Sequence, residues 1–95
     1  MIGGECLKGV KLDINGLTRT LALDGLFIAI GQQPDNGAFG VALDGDGYIL
    51  ADEHCRTDVK GIYAIGDCRK KTVRQLTTAA ADGAIAVATA LGEMF

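Results

Sequence analysis

Gly61–Ala81 reads GIYAIGDCRKKTVRQLTTAAA. Its first residues, Ile62–Ile65, are a short apolar run expected to form a strand buried on both faces. Gly66 and Asp67 follow directly, and Arg69, Lys70 and Lys71 make a polar loop. Thr72-x-x-Gln75 fits a capping box ahead of an alanine-rich run. The spacing predicts a helix from Thr72 to about Leu91, with Gly92 as its stop. Strand, tight turn and helix start, in that order, put Asp67 at the carboxyl end of a strand, where open α/β sheets bind ligands. The unpaired N–H groups and positive pole of a helix start serve the same ligand. An acceptor and a set of donors can then grip two parts of one polyhydroxylated, partly anionic molecule.

Upstream, Leu26–Ile30 (LFIAI) is a second continuous apolar run, expected to be another strand buried on both faces. Before it, apolar and polar residues alternate on either side of Asn15-Gly16, the strongest short hairpin signal. A β-hairpin of Leu7–Ile14 with Leu17–Leu23 follows. Gly31–Gly40 carries Pro34 and Asn36-Gly37 without periodicity, and reads as a linker loop. Asp44-Gly45-Asp46-Gly47 overlaps the spacing of a calcium loop. Position one of that loop would be Ala42, however, and no flanking helices are expected, so the string reads as a turn before a short strand. Ala51–Lys60 is polar and reads as surface loop.

The 95 residues suffice for one modest core. Apolar residues make up 48% and charged residues 22%, which places the chain among globular proteins rather than disordered ones. A net charge of −3 gives no basic face for nucleic acid. No apolar run approaches the roughly 20 residues that span a bilayer, so no membrane partner and a cytoplasmic location are expected. The three cysteines, Cys6, Cys55 and Cys68, form no C-x-x-C and read as reduced thiols. His54 beside Cys55 is a poor metal pair, because neighbours on an extended chain point apart.

The run GIYAIGDCRKKTVRQLTTAAADGAIAV resembles the second flavin-binding motif of thioredoxin reductases and related flavoprotein disulfide reductases. Thr57, Gly61, Gly66, Asp67, Arg74, Gln75 and the alanine-rich run match that pattern in order and spacing. Asp24–Asn36, DGLFIAIGQQPDN, is similar to the family's crossover from nucleotide domain to flavin domain. Lys60 departs from the pattern, standing where a proline is common. The resemblance implies an α/β fold, part of a two-domain Rossmann-type flavoprotein with a β-hairpin, buried strands and one long C-terminal helix. It implies that residues 1–33 end the NADPH domain and that 34–95 are the C-terminal part of the FAD-binding domain. It implies FAD contacts from Gly66, Asp67, Arg74, Gln75 and Leu76, with Asp67 accepting from a ribityl hydroxyl. The parent reaction would run from NADPH through FAD to a disulfide, with thioredoxin or a similar protein as partner.

Each of these residues also has a plainer reading. Asp67 can be a turn aspartate, Gln75 a capping side chain for Thr72, and Arg74 a solvated cation. Arg69, Lys70 and Lys71 can grip a phosphate or simply face water. Cys68 follows Asp67 and reads as structural. The chain holds no G-x-G-x-x-G and no C-x-x-C. It is therefore expected to be inactive alone and to retain no FAD tightly. Open strand edges lead to the expectation of a homodimer or larger oligomer. Related parents fit the same residues: the flavoprotein of alkyl hydroperoxide reductase, or a ferredoxin–NADP reductase. A free-standing non-catalytic interaction module is the reading from another class.

Overall fold

Asn15 and Gly16 both take left-handed backbone angles, φ 54° and 81°. Two successive positive φ values are what a tight hairpin turn demands, and asparagine followed by glycine supplies them at least cost. Asp13 tightens the turn by accepting a hydrogen bond from the Gly16 N–H at 2.8 Å. The flanking segments pair antiparallel as β2 (Leu7–Ile14) and β3 (Leu17–Ala22), in register from Ile14 opposite Leu17 to Gly9 opposite Ala22. The expected hairpin is thus present, with Leu23 just beyond β3 but still donating to the Lys8 carbonyl at 3.3 Å. A two-residue strand that the sequence did not signal, β1 (Ile2–Gly3), adds to the other edge of β2.

The computed structural model describes residues 1–95 and divides after Gly31 into two compact units, Met1–Gly31 and Gln32–Phe95. The linker and domain boundary had been expected at residues 31–40 and after residue 33. In the first unit only Gly9 and Val10 are buried. The strand expected at Leu26–Ile30 is not formed. The segment is irregular, with Phe27 99% and Ile30 95% exposed. A strand exists only through its neighbours, and none lies beside this run within the unit.

The second unit is built on α1 (Leu76–Met94) and short irregular segments. Thr78, Ala79, Asp82, Gly83, Ala86, Thr89 and Ala90 recur every three or four residues and form its half-buried stripe. Around it, single bridges join Leu43 to Ile49, Ile49 to Arg69, and Arg56 to Tyr63. The pairing of Ile49 with Arg69 is parallel. Ile62–Ile65 does not become the expected strand buried on both faces. It makes one bridge, Ala64 is buried, and Ile62 and Ile65 stand out in solvent. The observed architecture is therefore a three-stranded antiparallel sheet in one unit and one long helix with bridged loops in the other. The apolar core of the second unit is small: Ile49, Cys55 and Ala64. No helix is long and apolar enough to cross a membrane.

Asn36, read as part of a linker, is buried instead. Its amide donates to the Gly47 carbonyl at 3.0 Å and the Cys68 carbonyl at 3.1 Å, clasping two loops distant in sequence. The helix also starts later than expected. Gln75, not Thr72, is the N-cap, and the Thr78 hydroxyl accepts from the Gln75 N–H at 3.0 Å, so the capping box lies three residues further on. Ahead of it, residues 72–74 are not helical, Lys71 reaches forward to Asp82 and Arg74 reaches back to the Asp67 carbonyl. Gly92 does not stop α1, which runs on to Met94. Glu93 holds that end by accepting from the Tyr63 hydroxyl and pairing with Arg56 at 3.5 Å.

Candidate ligand site at the Gly66–Asp67 turn

Gly66, Asp67 and Cys68 form a single turn of 3-10 helix. Gly66 enters it at φ 74°, a left-handed angle that makes glycine the residue of choice. A Cβ at this position would meet only Ala79 Cβ, at an ordinary 3.6 Å, so backbone hand rather than space sets the requirement. The turn is held from two sides. The Gly66 N–H donates to Asp82 Oδ2 of α1 at 2.9 Å, and Arg74 Nε, just before the helix, donates to the Asp67 carbonyl at 3.3 Å.

Asp67 points its carboxylate outward. It is exposed, and the ion pairs of this region go to Asp82 instead. With Tyr48, Asn36 and Gln32–Asp35 it lines an open cleft of about 440 Å3. Arg74 is not the solvated cation of the plainer reading. Its guanidinium lies 3.8 Å from the centre of the Tyr48 ring, a cation–π contact that fixes it beside the turn. Gln75 and Leu76 follow at the helix start and are exposed. Gly66, Asp67 and Arg74 are thus joined in one bonded cluster, and Gln75 and Leu76 continue it along the chain.

Asp82 carries weight that its sequence context hid. It is the one buried residue of α1, 7% exposed. Besides the Gly66 N–H, it takes Lys71 Nζ at 2.6 Å and Arg69 Nη1 at 3.2 Å. Burial pushes its carboxyl upward. The Lys71 ammonium, the Gly66 N–H and the Arg69 guanidinium outweigh that, and the group lies below the ordinary aspartate value. The signal that could have found it was a carboxylate inside the alanine-rich part of the helix, eleven residues after a run of three cations. That run is neither a phosphate grip nor a solvated trio. Arg69 and Lys71 are spent on Asp82, and Arg69 also donates to the Asp52 carbonyl at 2.9 Å. Only Lys70 faces solvent.

The cysteines show no reactive pair. Cys55 is fully buried, and Arg69 Nη1 lies 3.1 Å from its sulfur. Burial pushes its thiol up, Arg69 opposes that and Asp82 adds to it, so the group stays protonated and a poor nucleophile. Cys68 donates to the Ile65 carbonyl at 3.2 Å. His54 is half exposed beside the buried Cys55, so the two do not converge. Asp44 accepts from the Asp46 and Tyr48 N–H groups, both at 2.9 Å, as a turn aspartate does. Thr57 closes the loop before Ile62, its hydroxyl donating to the Ile62 carbonyl at 2.8 Å.

Residues 5–83 match the family described as pyridine nucleotide-disulphide oxidoreductase. A thioredoxin reductase of Treponema pallidum is 47% identical over 86 residues, which are 90% of this chain and 27% of that protein. Among solved structures, the thioredoxin reductase of T. acidophilum superposes with a TM-score of 0.78 at 34% identity, over 92% of this chain and 30% of that one. The Lactococcus lactis thioredoxin reductase, in its FR conformation, gives 0.70 at 40% identity, over 82% and 26%. The chain therefore spans less than a third of the relatives it matches.

Proposed function

Because the chain belongs to the pyridine nucleotide-disulphide oxidoreductase family, we propose that it is the C-terminal part of a thioredoxin reductase-like flavoenzyme and forms part of the wall of its FAD site. On this reading residues 1–33 close a nucleotide domain and residues 34–95 belong to the flavin domain of a Rossmann-type fold. The observation that carries it is the Gly66–Asp67 turn: an exposed carboxylate with no ion pair, set on a rigid turn beside the open start of a 19-residue helix.

That donor and acceptor set fits a flavin. Asp67 offers a charged acceptor to a hydroxyl of the ribityl chain, a bond worth roughly 1.5–3 kcal/mol. Gly66 lets the backbone turn so that this carboxylate faces outward. The N–H of Leu76 and the positive pole of α1 favour a polar, electron-rich edge of the ligand. Gln75 supplies an exposed amide at the same helix start, and Arg74, fixed on Tyr48, adds a positive charge that needs no ordering on binding. Bound FAD would supply the relay of two electrons between NADPH and a disulfide, with thioredoxin or a similar protein as the acceptor of the whole enzyme. These 95 residues alone offer no redox thiol pair, and we expect the isolated chain to be colourless and inactive, in a cytoplasmic setting. Its open β3 edge and exposed apolar residues favour self-association, as a dimer or larger, which light scattering would measure.

Two experiments test the reading. Sequence flanking the coding region should extend the frame upstream of Met1 through a G-x-G-x-x-G and a C-x-x-C. An extension carrying those motifs downstream of Phe95 instead would overturn the assignment to the C-terminal part. In the full-length flavoprotein, Asp67→Ala should lower the flavin-to-protein absorbance ratio after desalting. A ratio equal to wild type would remove Asp67 from the site.

A further inference from the structure

A carboxylate buried in the middle of a helix is costly unless its charge is answered. At Asp82 it is answered three times, and all three partners lie within residues 66–71, the stretch that contains Asp67. Oδ2 takes the Gly66 N–H at 2.9 Å and Lys71 at 2.6 Å, and Oδ1 takes Arg69 at 3.2 Å. Arg69 and Lys71 are 11% and 12% exposed at their side chains. They follow Asp67 by two and four residues, close enough in the chain to pair with it if nothing else held them. Instead they face inward and Asp67 faces outward.

We infer that Asp82 is the positioning residue of the ligand turn: it fixes the Gly66–Asp67 peptide and keeps Arg69 and Lys71 from neutralising the Asp67 carboxylate. The inference rests on the reading of Asp67 as a ligand contact. Asp82 itself touches no ligand. Its effect has two separable parts, one through an acceptor oxygen for Gly66 and one through the charge that sorts the cations. Asp82→Asn keeps an acceptor and loses the charge. Asp82→Ala loses both. A neutral triple variant, Arg69→Gln with Lys71→Met and Asp82→Asn, removes the competing cations along with the charge that held them.

The test uses a full-length flavoenzyme in which residues 1–95 replace the matching segment of the Treponema pallidum relative, with FAD affinity read by flavin fluorescence. Asp67→Ala and Asp82→Ala should each weaken FAD by about tenfold, and the double variant should be no weaker than Asp67→Ala, since Asp82 acts through Asp67. The triple variant should bind within about threefold of wild type, because its Asp67 is unmasked again. Additive losses in the double variant, or wild-type affinity in Asp82→Ala, would overturn the inference. If Asp67→Ala binds FAD as wild type does, the flavin reading itself falls. Should Asp82→Ala not fold in that context, the 95-residue chain gives a second measure through amide exchange at Gly66. Protection at Gly66, taken relative to that of α1, should survive in Asp82→Asn and drop at least about tenfold in Asp82→Ala, and an equal ratio in the two would count against Asp82 as the anchor of the turn.

Discussion

Residues 1–31 keep their shape through a backbone ladder: β2 and β3 exchange hydrogen bonds residue by residue, and nearly every side chain faces water. Residues 32–95 have hardly any ladder. Their loops are joined by single bridges and scattered backbone hydrogen bonds, and beyond those by side chains that reach across the sequence to backbone groups and to one another, above all Asn36, Arg69, Lys71 and Asp82. The two regions thus differ in what a single substitution can remove. A ladder loses one rung at a time, and most side chains can change without touching it. A buried polar hub loses several contacts at once, and its orphaned partners stay behind in a poorly solvated place.

Asp82→Ala should therefore have the largest effect on folding. It strands two buried cations and one buried N–H, at a cost of about 3 kcal/mol. Amide exchange within residues 32–95 should rise across α1 and the Gly66 turn, and an unchanged pattern there would break the contrast. Acid should do the same without mutation. The Asp82 carboxyl is held below its ordinary value, so its contribution is complete above about pH 4, the unfolded value, and is lost as pH falls through the folded one. Asp82→Asn should flatten that part of an acid titration, and an acid limb of unaltered steepness would assign it to other carboxylates.

Asn36→Ala comes next. It removes two hydrogen bonds and leaves two carbonyls partly unanswered, a loss of about 1–2 kcal/mol in urea unfolding. A midpoint unmoved by this change would mean that water replaces the amide. Gly16→Ala should be the mildest. Nothing lies near the added methyl, so its cost is the left-handed backbone alone, about 1 kcal/mol, confined to the β2–β3 ladder. A larger loss, or one that reached beyond the hairpin, would show that the ladder is less divisible than its hydrogen bonds suggest.

The same contrast explains what could be read in advance. Asn15-Gly16 and the alternation around it specify a hairpin because turn and ladder are local, and strands and register followed. The helix was legible from its alanines, but its start was not, since Lys71 and Arg74 answer to Asp82 and Asp67 across the fold rather than to their neighbours in sequence. Leu26–Ile30 and Ile62–Ile65 look like strands because apolar runs record burial, yet pairing is a property of two segments, and here the second is absent or a single bridge long. The Gly66–Asp67 turn was visible as a motif. The residues that hold it, Asp82 and Asn36, were not, because a buried polar residue looks the same in sequence as a surface one until its partners are known.

The placement of the tyrosines has a practical consequence. The chain has no tryptophan and two tyrosines, Tyr48 and Tyr63. Both lie in residues 32–95, one under the Arg74 guanidinium and the other donating to the Glu93 carboxylate. Near-ultraviolet dichroism and intrinsic emission will accordingly come almost wholly from that part of the protein, with Tyr48 reporting the surroundings of Arg74 and Tyr63 the far end of α1. A melt followed by these signals is silent about the hairpin, whereas the far ultraviolet registers both regions and is dominated by α1. The tyrosines thus act as local dyes for residues 32–95, and any far-ultraviolet change they do not share comes from outside their surroundings.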